Sequence, residues 1–322
     1  MRTMLRGIRN GVRRAVGAAG LSRELAEIRS AMRVVGSSAD QAERNSPHGN
    51  GPGGAASKLS QLVLRNQYRE MALRGGVLPS FNDVEFRAFS QNGEDGILLY
   101  IFSLLGMGSR QCVEICAGDG VENNTANLVV NHGWRGLMAD GNEVLVDRAR
   151  RFYASNQDTF CLPPTIVHTW ITRENINEII KNNGFEGPID LLSLDLDGVD
   201  YWVWEAIDVV QPRVVVAEIQ CIWGAERAVT VPYAAEFKSE FIDGFGVYSG
   251  ASLPAFVKLA KRKGYRLVGV NRLGFNAFFV KDNEGLELLP EVDARDCVGG
   301  PFTTWARTAL LPKVQHMPWV DV

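Results

Sequence analysis

The chain has 322 residues, 46% of them hydrophobic and 22% charged, an ordinary balance for a globular protein and enough length for one α/β domain with additions. A net charge of −3 argues against nucleic acid as the main partner, and no apolar run reaches the roughly 18 residues of a membrane span. Five cysteines (Cys112, Cys116, Cys161, Cys221, Cys297) form no CxxC pair and no cluster with histidine, which predicts reduced thiols and a cytoplasmic protein.

Residues 1–35 are rich in arginine, with no acid before Glu24. Leu5, Ile8, Val12 and Val16 recur at helical spacing, with Arg2, Arg6, Arg9 and Arg13 on other faces. Two readings stand: a basic amphipathic helix resting on an anionic membrane surface, or a solvated or oligomer-forming helix. The composition also resembles an organelle transit peptide, but not a secretory signal, because arginines interrupt every apolar stretch. Residues 36–57, dense in Gly, Ser, Asn and Pro, predict a disordered linker. A helical lead-in follows over 58–77, then a main domain over 78–282 and a C-terminal extension over 283–322.

Within the main domain, helices and strands alternate. "GEDGILLYIFSLLG" reads as a helix with Ser90 as its N-cap, "QCVEICAGDG" as a strand and turn, and "ENNTANLVVNHG" as a helix stopped by Gly133. "WRGLMADGN", "TIVHTW", "IDLLSLDLDG" and "RVVVAEIQ" read as further strands. "EVLVDRARRFYAS", "TRENINEIIKNNG" (Thr172 as N-cap), "VDYWVWEAI" and "LPAFVKLAKRKG" read as helices between and after them. "YRLVGVNRLGFNAFFVK" reads as a closing pair of strands. Strands alternating with helices of this length predict a mainly parallel, doubly wound sheet with an antiparallel hairpin at its edge.

Ligands of such sheets bind beyond the carboxyl ends of the strands. Five polar or aromatic tips stand there: Gly118-Asp119-Gly120, Asp140, His168 with Trp170, Asp195 with Asp197, and Glu218 with Gln220. Asp140 lies 20 residues beyond Gly120, the spacing at which an acid receives ribose hydroxyls in a dinucleotide or adenosyl site. The turn lacks the third glycine of G-x-G-x-x-G, and Asp119 with Glu122 would repel a pyrophosphate. Such a turn suits a cationic ligand, a sulfonium with an ammonium group, and so S-adenosylmethionine over NAD or ATP.

Over roughly residues 89–280 the chain resembles the class I S-adenosylmethionine-dependent methyltransferases, and within them the FkbM-like group. The resemblance is carried by "SQNGEDGIL", "VEICAGDGVENNTANL", "GWRGLMADGN", "DLLSLDLDGVDYWVWEAI" and "RVVVAEIQ". It implies a Rossmann-like fold, an S-adenosylmethionine cofactor, and methylation of a hydroxyl on a sugar, glycan or related natural product. It further implies cofactor contacts by Gly118, Gly120 and Asp140, by Glu114 and Asp119 of the strand-and-turn motif, and by Gln91 and Glu94 folding over the ligand. Three places differ from the group: Cys116-Ala117 where glycine is frequent, Gly141-Asn142 where proline often follows the acid, and His168-Thr169-Trp170, which lacks the acid often found near adenine.

Asp195-Leu196-Asp197 supports three readings. With Glu218 it could bind a divalent metal such as Mg²⁺ that lowers the pKa of an acceptor hydroxyl. One acid could instead act as general base without metal. Or an acid here, Asp197 or Asp200, caps the next helix. An apolar strand followed by D-x-D also marks metal-dependent glycosyltransferases, and a non-catalytic cofactor-binding scaffold is the remaining alternative. His168 reads as a base or as a satisfied histidine, Trp170 as an adenine shelf or a core residue, and Tyr248 and Ser249 as acceptor-pocket residues.

Overall fold

The computed structural model describes residues 52–322 apart from residue 243; the basic arm and the linker up to residue 51 lie outside the described residues. The strands are β1 (Gln111–Ile115), β2 (Arg135–Asp140), β3 (Thr165–His168), β4 (Gly187–Leu194), β5 (Val210–Glu218), β6 (Val229–Thr230), β7 (Glu240–Ile242), β8 (Phe245–Tyr248), β9 (Tyr265–Val270), β10 (Asn276–Lys281) and β11 (Val320–Asp321). Seven form one sheet in the order β3-β2-β1-β4-β5-β10-β9. β1 to β5 are mutually parallel, and β10 runs antiparallel to both β5 and β9. This is a Rossmann-like, doubly wound α/β sheet. The closing hairpin folds back so that its second strand joins β5 and its first, β9, becomes the edge.

Side chains alternate across each strand, and both faces are covered. On β5, Val215 and Ala217 join one core with Ile176, Ile180, Trp204 and Phe256 of three helices. Val214 and Val216 join the other, with Tyr68, Ile97, Tyr100, Leu128 and Tyr153. That is why β4 and β5 read as continuous apolar runs. The exceptions inside those runs, Asp190 and Arg213, are a pair: Arg213 Nη1 donates to Asp190 Oδ1 at 2.9 Å, and Arg110 N donates to Asp190 Oδ2 at 2.6 Å. Arg213 also donates to the carbonyls of Leu105 and Gly106 and to Glu284.

Local signals placed most boundaries, with corrections. The lead-in helix runs Pro52–Leu73, so residues 52–57 are helical and not linker. The next long helix, Glu94–Leu105, has Gly93 in the left-handed region as its N-cap; Ser90 Oγ accepts from Asp95 N instead. The Ile176–Asn182 helix starts after Asn175 and not at Thr172. Gly133 and Gly264 end helices in the left-handed conformation, and Ser252 caps the Leu253–Lys263 helix. Residues 283–322 pack onto the main domain: Phe302, Ala306, Leu310 and Val314 share a core with Cys221, Ile222, Trp223 and Val247, and β11 pairs with β6. Among the described residues no helix is long and apolar enough to cross a membrane.

The lead-in helix is tied down by a buried polar network. Gln61 Oε1 accepts from Asn127 Nδ2 at 2.9 Å and faces His132 Nε2 at 2.8 Å, so His132 presents its Nε2–H. His132 Nδ1 is buried without a partner, and burial, followed by the charges of Arg65, Lys58 and Arg110, lowers the imidazole to about 4. The folded state thus holds a neutral ring where the unfolded chain binds a proton below about 6.5. The contribution of His132 is full above that pH and is lost as pH falls from about 6.5 toward 4. In urea titrations, the advantage of wild type over His132→Gln should therefore shrink across that window by up to about 1.4 kcal/mol per pH unit; an advantage constant with pH would contradict the buried neutral ring.

Candidate active site

From β1 the chain winds outward to β3, then crosses to β4 on the other side of β1. The resulting switch point opens a crevice between the tips of β1 and β4. Of the three non-glycine residues with positive φ among the described residues, two flank this crevice: Cys116 (φ 62) after β1 and Asp197 (φ 53) after β4. Backbone held in this sparsely populated region clusters at functional sites. Cys116 thus adopts a conformation that favours glycine.

The turn after β1 is held by the chain's own oxygens. Cys116 N and Ala117 N both donate to Ala139 O, and Gly120 N donates to Ala117 O. Gly118 N donates to Asp140 Oδ2 at 2.8 Å, Val121 N and Glu122 N to Asp119 Oδ1, and Thr125 N and Ala126 N to Asn123 Oδ1. Most N–H groups that a phosphate-binding turn would present are therefore engaged. Asp119 holds the turn and does not reach out as a free ligand. Gly118 (φ 57) faces open space where a Cβ would lie. At Gly120 a Cβ would stand 2.7 Å from that of Ala149 and 3.2 Å from the Tyr153 ring, and Tyr153 Oη donates to Gly120 O. The glycine at 120 thus serves close packing of the turn on the Glu143–Ser155 helix.

Asp140 ends β2 beside this turn. Its second oxygen accepts from Asn142 N at 2.7 Å, so two backbone N–H groups orient the carboxylate at the crevice rim. Both residues that follow it have structural roles. Asn142 Oδ1 caps the next helix by accepting from Val144 N and Leu145 N. A Cβ on Gly141 would lie 2.9 Å from Cε3 of Trp170, so only glycine lets that ring lie against the strand tip. Trp170 is half exposed, and its indole N–H is fixed to Ala235 O at 2.6 Å. It lies against the tip of β2 and is not a core residue.

Three expected site residues lie elsewhere. Glu94 is buried: Oε1 accepts from Asn271 and Asn276 of the hairpin region, and Oε2 accepts from Asn92 N, so it clamps the hairpin and does not fold over a ligand. Glu114 is buried within β1 and accepts from Ser193 Oγ at 2.8 Å; burial pushes its carboxyl up to about 7. His168 is exposed on β3, its Nε2 3.2 Å from Gly141 O. Three strand spacings separate β3 from β4, about 14 Å, so His168 is no base for chemistry at the β4 tip. Gln91 is exposed, close enough to Glu122 to favour its charged form. Tyr248 Oη donates to Pro318 O and Ser249 Oγ to Gly246 O, so both are occupied structurally.

At the tips of β4 and β5, Asp195, Asp197 and Glu218 bring carboxylate oxygens within 4.8 Å of one another. Burial, then the charges of Asp197 and Asp200, pushes Asp195 up to about 8, and burial with Asp195 beside it raises Glu218 well above the carboxylate range. Asp200, not Asp197, shapes the loop: its oxygens accept from Leu196 N at 2.6 Å and Gly198 N at 3.0 Å. That leaves Asp195, Asp197 and Glu218 facing the crevice. Three hard oxygen donors this close fit a divalent cation, which would offset their mutual repulsion.

No family model and no curated protein matches the chain. Its fold is similar to solved structures of low identity. A TehB-like S-adenosylmethionine-dependent methyltransferase from Corynebacterium glutamicum is 13% identical over 69% of this chain and 98% of that one, at a TM-score of 0.33. An O-methyltransferase from Bacillus cereus in complex with S-adenosylhomocysteine is 14% identical over 76% and 88%, at 0.36. The magnesium protoporphyrin IX methyltransferase of Synechocystis with bound S-adenosylmethionine is 11% identical over 69% and 96%, at 0.34. These likenesses assign no residue of the site.

Proposed function

We propose that the protein is an S-adenosylmethionine-dependent O-methyltransferase acting on a hydroxyl of a sugar or related natural product. The observation that carries this reading is the union, at one switch point, of an adenosyl-type cradle with a carboxylate trio. Asp140, oriented by Gly118 N and Asn142 N, is placed to receive the ribose hydroxyls, with Trp170 as a flat neighbour for the base. The engaged N–H groups of the β1 turn disfavour a phosphate, whereas the carboxylate of Glu122 beside it suits a cation. When bound, the cofactor supplies a methyl group on a positively charged sulfur. The chain's tasks are to align an acceptor oxygen with it and to accept the hydroxyl proton on the trio. If a divalent metal takes part, Asp195, Asp197 and Glu218 would hold it, and it would supply a lowered pKa for the acceptor hydroxyl.

Calorimetry tests the reading. S-adenosylmethionine and its demethylated product should bind in the micromolar range, ATP and NAD no better than millimolar. Asp140→Ala removes a charged acceptor and should weaken cofactor binding by about 1.5–3 kcal/mol, roughly 10- to 150-fold. No cofactor binding at millimolar concentration would overturn the proposal, and unchanged affinity in the variant would overturn the ribose assignment. Binding of a nucleotide sugar with Mn²⁺ in place of S-adenosylmethionine would instead point to glycosyl transfer through the D-x-D acids.

A further inference from the structure

Two acids of the trio, Asp197 and Glu218, line a recess. Its wall is otherwise mostly apolar: Ile222, Phe245, Phe275, Phe302, Ala306 and Leu310. Three of these come from residues 301–310, which the sequence pattern left without a role. Two other polar side chains line the recess, Gln220 and Cys221. Gln220 turns its amide N–H groups to Gly246 O and to Ser249, and Cys221 is buried, its thiol pushed up to about 12 by burial. The cavity is small, about 90 Å³. An apolar cavity of roughly 150 Å³ admits benzene, so this one suits a short alkyl branch and not a ring.

Resting on the methyltransferase reading, we infer that the acceptor carries a compact apolar arm of about three to five carbons beside its reacting hydroxyl, and that the C-terminal segment forms the wall selecting it. Hydroxyls laid against the six apolar side chains would lose hydration without gaining hydrogen bonds, their partners being confined to the acids and Gln220, whereas an alkyl arm gains by leaving water there. The hydroxyl at the arm's root then meets Asp197 and Glu218. The arm thereby fixes which hydroxyl of a polyhydroxy compound is presented.

The probes are 1,2-hexanediol and glycerol, each with vicinal hydroxyls but only the first with a four-carbon chain. Their binding to the full-length protein saturated with S-adenosylhomocysteine is followed by ligand-observed NMR. Each buried CH₂ contributes a factor of roughly four, so the hexanediol should bind at least about 30-fold more tightly. Ala306→Phe, which fills the recess, should reduce that ratio to near one with S-adenosylhomocysteine affinity unchanged. If that variant no longer binds S-adenosylhomocysteine, Ala306→Val is read in its place and should cut the ratio several-fold. Equal binding of the two probes by the wild type, or a ratio untouched by the filling variants, would overturn the inference while leaving the methyltransferase reading intact. Failure of the wild type to bind S-adenosylhomocysteine would remove both.

Discussion

Asp195→Asn should abolish methyl transfer, by about 100-fold or more, while raising the thermal midpoint of the metal-free protein. The two effects share one cause. Asp195, Asp197, Asp200 and Glu218 crowd the tips of β4 and β5; burial raises all four, and the charges of neighbouring acids add to it at Asp195, Asp200 and Glu218. An amide keeps the shape of Asp195 and can donate to Glu218, but it folds without taking up the proton that the buried acid, pushed up to about 8, must bind. A gain of about 1 kcal/mol, roughly 2–4 °C, is expected from differential scanning calorimetry. Added Mn²⁺ should raise the midpoint of the wild type by binding only the folded state, and should leave Asp195→Asn unmoved. A variant less stable than wild type in the absence of metal would show that these acids are held for structure. Equal Mn²⁺ stabilisation of both proteins would remove the trio as a metal site.

Arg213→Met should cost about 3–5 kcal/mol in urea unfolding, because it leaves Asp190 buried in the sheet without its cation. The same guanidinium also receives the C-terminal carbonyls Leu105 and Gly106 of the Glu94–Leu105 helix and reaches Glu284 from beyond β10. Its loss therefore loosens three elements that meet at the end of the sheet away from the crevice. Asp190→Asn on the same background should recover part of the deficit, since it removes the stranded charge; its single amide oxygen can keep the bond from Arg110 N, while its NH2 faces Gly108 N, which loses its acceptor. A loss below about 1 kcal/mol for Arg213→Met would contradict the pairing.

Much of the fold was legible because its signals are local. Strands buried on both faces read as apolar runs, helices ended at Gly133 and Gly264, and the spacing from Gly120 to Asp140 spans one strand-helix-strand unit. The site was legible in part. Asp140, Trp170 and the acid trio stand where the strand tips predicted. Glu94, Glu114 and His168 were misplaced for one reason: an acid or imidazole near a motif says nothing about what else meets it. Glu94 is claimed by asparagines 177 and 182 positions away, and His168 ends a strand at the far side of the sheet. The same blindness hid Gln61 with His132, and the wall that residues 301–310 supply to the recess.

By itself the sequence determined the alternation of elements, hence a parallel doubly wound sheet, and a glycine turn with acids unsuited to phosphate. Periodicity and turn chemistry act over a few residues, and a linear string records them. Only the tertiary structure decided which polar groups are free to act. Asp119 is bound by its own turn, Asp200 by its own loop, Glu94 by a hairpin and Asp140 by the N–H groups of Gly118 and Asn142, while Asp195, Asp197 and Glu218 gather their carboxylate oxygens at the tips of β4 and β5. A carboxylate's role depends on which donors reach it first, and those donors come from elements that meet only when the chain is folded.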